Sequence, residues 1–159
     1  MENKNLVIAY QTFAEAELDA EDRLLVERAK EATYSSYSPY SRFKVGAAVR
    51  MSGGQVFSGS NQENAAFSAG TCAERCTLFY AQAQAPGQTV TAIAIAARGR
   101  DDLYTASPIS PCGVCRQALM EAQTLAGGRK IRVLLYGRRE VLAVNGVEDL
   151  LPFAFREIS

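Results

Sequence analysis

The sequence predicts an α/β sandwich whose β-sheet mixes antiparallel and parallel strand pairs. Apolar, β-branched stretches alternate with stretches of helical periodicity, and a Ser-Gly-Gly tripeptide early in the chain indicates a hairpin between two strands. The 159 residues are 48% hydrophobic and 21% charged, which is enough for one domain with its own core. Without a repeat or a low-complexity linker, residues 1–159 are expected to form a single domain.

The first predicted element is a helix over residues 20–36, because an apolar stripe with a 3.6-residue period runs along it. The stripe comprises Leu24, Leu25, Arg28, Ala29 and Ala32. Pro39 then breaks the chain into a loop over residues 35–41. Two strands, over residues 44–51 and 55–59, flank the hairpin turn at residues 52–54.

The second half of the chain alternates helices and strands. A helix is predicted over residues 71–85, with Thr71 as its N-cap. A buried strand over residues 89–97 precedes a helix over residues 112–126, which Gly127 and Gly128 terminate. Another buried strand follows over residues 131–136, and residues 147–155 are expected to form a short helix or turn.

Composition excludes several classes of function. The 17 basic and 17 acidic residues leave no net charge, so we expect no nucleic-acid partner. No apolar run approaches the roughly 18 residues that a membrane helix needs. Residues 1–5 do not resemble a secretory signal, so a cytoplasmic location with reduced cysteines and no membrane partner is expected. Histidine is absent, which excludes every histidine-based catalytic or metal site.

Three cysteines have the spacing of a catalytic zinc site. Cys112 and Cys115 are three residues apart at the start of a predicted helix, where positions i and i+3 share a face. Cys72 opens another predicted helix, whose N-terminus lowers the pKa of a thiol. Three ligands leave the fourth position of tetrahedral zinc open, which is the arrangement of catalytic sites.

Two charged residues follow Cys72 and suit such a site. Glu74 is a candidate proton shuttle, because a carboxylate that is not a ligand can exchange protons beside a metal. Arg75 can donate to a ligand sulfur and offset the negative charge of three thiolates. Two other interpretations remain open. Cys76 could complete a closed four-cysteine structural site, or Cys112 and Cys115 could form a redox pair.

Five sequence segments resemble motifs of the cytidine deaminase family, in the family's order. Two carry the cysteines: Cys72-Ala73-Glu74-Arg75 and Ser110-Pro111-Cys112-Gly113-Val114-Cys115-Arg116-Gln117. The others are residues 37–48 (YSPYSRFKVGAA), 61–65 (NQENA) and 150–155 (LLPFAF). The resemblance runs from about residue 35 to 155 and leaves residues 1–19 unmatched. Cys76 and Phe67 depart from the common pattern.

The resemblance implies a three-layer α/β/α sandwich around a mixed sheet of about five strands. It further implies one zinc ion per chain, held by Cys72, Cys112 and Cys115. The implied reaction is the deamination of cytidine and deoxycytidine to uridine and deoxyuridine in pyrimidine salvage, with release of ammonia. Glu74 would take a proton from the attacking water, pass it to ring N3 and later protonate the leaving amine.

The resemblance also assigns residues to substrate binding. Asn61, which offers both a donor and an acceptor, and Glu63 would hold the ribose. Phe43 would stack on the base, and the backbones of Ala73 and Ser110 would contact the pyrimidine edge. The family's small members are typically homotetramers, in which a residue at the position of Phe155 reaches into a neighbouring site. Another aminopyrimidine nucleoside remains an alternative substrate.

Overall fold

A six-stranded mixed β-sheet forms the centre of the computed structural model, which describes residues 1–156. The strands lie in the order β1-β6-β5-β4-β2-β3. Their bounds are β1 Gln11–Phe13, β2 Lys44–Met51, β3 Val56–Ser60, β4 Val90–Arg98, β5 Arg132–Tyr136 and β6 Val141–Asn145. Strands β4 and β5 pair in parallel, and the other neighbouring strands pair antiparallel. The predicted mixed sheet is confirmed.

Three α-helices complete the three predicted layers. Helix α1 (Ala20–Ala32) packs on one face of the sheet, and helices α2 (Ala73–Gln84) and α3 (Gly113–Leu125) pack on the other. Alternation along β4 separates the two cores, since successive side chains of a strand point to opposite faces. Ile93 and Ile95 pack towards α2 and α3, whereas Ala94 and Ala96 face α1. The alanine face lets α1 approach the sheet closely.

The chain differs from the prediction at one end of the sheet. Strand β6 was not predicted, although its five residues, VLAVN, are a short apolar run that follows a charged turn. Strand β1 lies in the segment that matched no motif, and it pairs with β6 at the sheet edge. These two strands raise the count to six where about five were expected. The residues 147–155 contain a 3-10 turn at Val147–Asp149.

Two local predictions for the helices were wrong. Helix α1 buries Leu25, Ala29 and Ala32 as expected, but Leu24 and Arg28 are exposed. The buried stripe instead includes Asp22, whose carboxylate accepts a hydrogen bond of 2.7 Å from Nε of Arg132 on β5. That partner makes burial of the charge tolerable, and hydropathy alone does not reveal it.

The predicted N-cap of α2 was also wrong. Cys72, rather than Thr71, is the N-cap residue, so the helix begins two residues later than predicted. This places the thiol of Cys72 at the very start of the helix. No helix within residues 1–156 has both the length and the apolar character needed to span a bilayer.

Candidate metal centre and substrate cavity

The N-termini of α2 and α3 bring three cysteine sulfurs together. Cys72 is the N-cap of α2, Cys112 is the N-cap of α3, and Cys115 is the third residue of α3. The Sγ of Cys112 lies 3.5 Å from that of Cys115 and 3.8 Å from that of Cys72. Zinc–sulfur bonds of about 2.3 Å in a tetrahedron require sulfur separations of about 3.8 Å. The donor set therefore fits zinc with one position left for another ligand.

The electrostatics of the cluster favour a bound cation. Burial raises the pKa of the Cys115 and Cys72 thiols, and the negative charge of Glu74 raises both further. Burial acts the same way on Cys112, but hydrogen bonds from the backbone and side chain of Cys115 outweigh it and lower the Cys112 pKa. The lowering of the thiol pKa that was expected at the helix N-termini is therefore found at Cys112 but not at Cys72 or Cys115. Three thiolates at this spacing need a divalent cation for charge compensation.

Arg75 lies on the first turn of α2 beside the sulfurs. Burial lowers the pKa of its guanidinium, but hydrogen bonding to the thiols of Cys115 and Cys72 outweighs this and raises the pKa. Its buried Nε has no hydrogen-bond partner within the described part of the chain. This position suits the charge compensation that the sequence predicts for Arg75.

Glu74 is the second residue of α2 and is only 5% exposed. Burial raises the pKa of its carboxyl group, although a backbone hydrogen bond opposes that shift. A carboxyl group whose pKa is raised binds a proton more tightly than an exposed one, which suits a group that must take up a proton and later return it. Glu74 and the sulfurs of Cys72 and Cys112 border the same cavity.

The cavity has a volume of about 740 Å³, which is in the range of small-molecule sites. It is lined by the site residues predicted from the sequence, with two exceptions. Those that line it are Phe43, Asn61, Glu63, Ala73, Glu74, Arg75, Ser110, Cys72 and Cys112. Cys115 is fully buried, and neither it nor Phe155 borders the cavity. Ten further residues line the cavity and were not predicted as site residues. Six of them lay within quoted motifs, namely Tyr40, Ser41, Val45, Gln62, Asn64 and Ala65, and the other four are Phe67, Gly70, Thr71 and Ile109.

The side chain of Asn61 is already bonded to the protein on three sides. Its Oδ1 accepts hydrogen bonds from the backbone N–H of Val45 (2.8 Å) and the hydroxyl of Ser36 (2.6 Å). Its Nδ2 donates to the carbonyl oxygen of Phe43 (2.9 Å). Both lone pairs of Oδ1 are therefore occupied within the protein. Only one N–H of the amide remains for a ligand.

Glu63 lies at the rim of the cavity as an ionised acceptor. Its carboxylate accepts hydrogen bonds from the backbone N–H groups of Tyr40 (2.8 Å) and Ser41 (3.3 Å). Hydrogen bonding, from Ser41 above all, lowers the pKa of Glu63. The left-handed backbone of Arg42 (φ 57°) closes the turn that presents these amides. The remaining lone pairs of the carboxylate suit a hydroxyl donor.

Phe155 and Cys76 lie outside the cavity and the sulfur cluster. The side chain of Phe155 is 63% exposed, and its carbonyl oxygen accepts a hydrogen bond of 2.9 Å from Nε2 of Gln117. Among the described residues, the group of potential metal ligands contains Cys72, Cys112 and Cys115 but not Cys76. A closed four-cysteine site is therefore excluded. A two-cysteine redox pair does not account for Cys72 in the cluster.

The site combines three sulfurs that leave one zinc position open, a buried carboxyl group and an adjoining cavity. This combination is typical of a zinc-dependent enzyme. The model of the cytidine and deoxycytidylate deaminase zinc-binding region matches residues 19–126. The chain belongs to this family. Its cofactor is zinc, and Cys72, Cys112 and Cys115 provide the donor set that fits the ion.

Named relatives and solved structures agree with this placement. The chain is 42% identical over 136 residues to a cytidine deaminase of Halalkalibacterium halodurans, covering 84% of this chain and 92% of that protein. It is 32% identical over 142 residues to a cytidine deaminase of Mycobacterium tuberculosis, covering 86% and 91%. The crystal structure of cytidine deaminase from Burkholderia pseudomallei superposes with a TM-score of 0.70 at 41% identity, covering 83% of this chain and 97% of that one.

Proposed function

We propose that the chain is a cytidine deaminase, which hydrolyses cytidine and deoxycytidine to uridine and deoxyuridine in pyrimidine salvage and releases ammonia. The observation that carries the proposal is the junction of a zinc-type sulfur cluster and the buried carboxyl of Glu74 at one cavity. The family membership and the named relatives agree with this reaction.

Glu74 moves the protons of the reaction. Zinc held by the three cysteines would supply Lewis acidity to the site. The Glu74 carboxylate takes one proton from the water whose oxygen bonds to C4 and delivers that proton to ring N3. It then carries the second proton, from the hydroxyl now on C4, to the amino group, and the C4–N bond breaks to release ammonia. Burial raises the pKa of Glu74, which suits the uptake of a proton from water and its later release to the substrate. Arg75 compensates the negative charge of the thiolates.

Asn61 and Glu63 select a nucleoside over the free base. Glu63 accepts a hydrogen bond from a ribose hydroxyl, and the free N–H of Asn61 donates one to the sugar. Among the described residues that line the cavity, Arg75 is the one cation, and it is engaged with the thiols. A phosphate group would find two carboxylates and no free cation there. Unphosphorylated nucleosides are therefore favoured over deoxycytidylate.

Phe43, Ala73 and Ser110 bind the base. Phe43 is half-buried on the cavity wall, and an aromatic side chain in that place suits stacking on a base. Ala73 is the first residue of α2, and Ser110 lies shortly before α3. Both are close in sequence to ligand cysteines, which places their backbone groups beside the sulfur cluster. Their amide and carbonyl groups are suited to the polar edge of a pyrimidine.

Four copies of the chain form a tetramer in which neighbours complete each site. Phe67 is fully exposed at the mouth of the cavity, and Phe79 and Tyr80 are half-exposed on α2. Exposed aromatic side chains in such number are typical of an interface. Phe155 is exposed and free to contact a neighbouring copy. Light scattering is expected to give four times the mass of one chain; a monomer would contradict this assembly.

We also propose a cytoplasmic location, because the reducing cytoplasm would keep the thiols of the three cysteines in the reduced form that binds zinc.

The test of the proposed activity is a direct assay of the purified chain. We expect cytidine and deoxycytidine to yield uridine and deoxyuridine with one ammonia each, and metal analysis to find one zinc per chain. Deoxycytidylate and free cytosine are expected to be poor substrates. An absence of ammonia from both nucleosides, with zinc bound, would refute the proposal. Faster turnover of another aminopyrimidine nucleoside would change the assigned substrate but not the class of reaction.

Replacing Glu63 by alanine is expected to raise KM for cytidine by about tenfold or more, because a charge-assisted hydrogen bond to the sugar is lost. The measurement is steady-state kinetics on cytidine. Glu121, an exposed glutamate on α3, provides the control substitution to alanine. Unchanged KM in the Glu63 variant would refute the assignment of Glu63 to the sugar.

A further inference from the structure

We propose that Ser36 is a positioning residue that holds the amide of Asn61 in the orientation needed to bind the sugar. This inference rests on the proposed function, since it presumes that Asn61 contacts the nucleoside. Ser36 lies in the loop after α1, outside the cavity lining. Its effect on substrate must therefore pass through Asn61.

The direction of the hydrogen bond between the two side chains follows from their chemistry. The hydroxyl of Ser36 lies 2.6 Å from Oδ1 of Asn61, and a carbonyl oxygen can only accept. Ser36 therefore donates its single proton to Asn61. The hydroxyl of Ser38, 3.1 Å from that of Ser36, is a more distant acceptor for the same proton, and the bond to Asn61 is the shorter of the two.

An asparagine amide can rotate by half a turn and exchange its oxygen and nitrogen at almost no steric cost, so its hydrogen bonds decide the orientation. Two donors, Ser36 and the N–H of Val45, face the oxygen, and the carbonyl of Phe43 faces the nitrogen. In the rotated amide the nitrogen would meet the N–H of Val45 and the oxygen would meet the carbonyl of Phe43, so these two groups set the orientation. The short bond from Ser36 is the third contact that holds the amide in place, and rotation would require the hydroxyl to turn and accept instead.

The correct orientation determines what Asn61 can offer a substrate. With Oδ1 occupied twice and Nδ2 donating once, a single N–H is left over. Glu63 offers only acceptor atoms. One sugar hydroxyl can therefore donate to Glu63 and accept from Asn61. If Ser36 is removed, one lone pair of Oδ1 becomes free, and the amide is held by two contacts only.

The experiment compares Ser36→Ala with Ser35→Ala. Ser35 is the matched control, because its hydroxyl bonds the carbonyl of Ala32 and the hydroxyl of Ser60 rather than Asn61. We expect Ser36→Ala to raise KM for cytidine about fivefold to tenfold, which corresponds to one hydrogen bond, with kcat changed less than twofold. Ser35→Ala is expected to leave both constants unchanged.

Two further measurements separate positioning from general damage to the fold. On 2′,3′-dideoxycytidine, which keeps the 5′-hydroxyl but lacks the 2′- and 3′-hydroxyls, wild type and Ser36→Ala are expected to have equal kcat/KM. In an Asn61→Ala background, Ser36→Ala is expected to cause no further loss on cytidine. A loss of equal size with both substrates, a further loss in the Asn61→Ala background, or no loss at all would overturn the role of Ser36. A wild-type chain inactive on cytidine would instead refute the proposed function.

Discussion

Replacing Glu74 by glutamine is expected to lower kcat for cytidine by about a thousandfold, because glutamine cannot take up and return a proton. General acid–base groups contribute factors of roughly a hundred to ten thousand. Glutamine has nearly the same shape as the neutral carboxylic acid, so the buried position should accept it without loss of fold. Zinc content is expected to remain at one per chain, since the three sulfurs are unchanged.

The control is Glu121→Gln, the same chemical change at an exposed position of α3. Steady-state kinetics, metal analysis and thermal unfolding of both variants distinguish a cut proton path from a lost metal. Near-normal turnover in the Glu74 variant would refute the shuttle. Loss of zinc from that variant would show instead that the carboxylate supports the metal site.

Replacing Gly46 by alanine is expected to destabilise the protein by about 3 kcal/mol or more. A Cβ atom at Gly46 would lie 2.6 Å from the backbone nitrogen of Thr33 and closer still to the carbonyl oxygen of Ala29. Both atoms belong to the backbone at the end of α1, so no side chain can rotate away. The helix would have to move off strand β2. The unfolding temperature should fall by roughly 6–12 °C for a chain of this size.

The matched control is Gly113→Ala, the first residue of α3. No heavy atom lies within 4 Å of the Cβ position there, and alanine is the better helix former. Its unfolding temperature is expected to be unchanged or slightly higher. If Gly46→Ala unfolded at the wild-type temperature, the close contact between α1 and β2 would not hold in solution.

Residue patterns predicted the long buried strands but not the short strands at one end of the sheet. Strand β4 was predicted within one residue at each end because nine consecutive residues are apolar or β-branched. Strands β1 and β6 escaped prediction because runs of three and five residues carry little periodicity of their own. Their pairing with each other, across about 130 residues of chain, stabilises them. Local sequence does not encode that pairing.

The metal chemistry and the family could be predicted from residue patterns, because ligand type, ligand spacing and the absence of histidine are properties of the chain alone. The same patterns predicted the three cysteines of the cluster, Glu74 and about half of the residues that line the cavity. Two features became visible only in three dimensions: Cys76 lies outside the cluster, and Oδ1 of Asn61 accepts hydrogen bonds from Ser36 and Val45. These outcomes depend on which helix faces and loop atoms meet in space, over separations that no local pattern records.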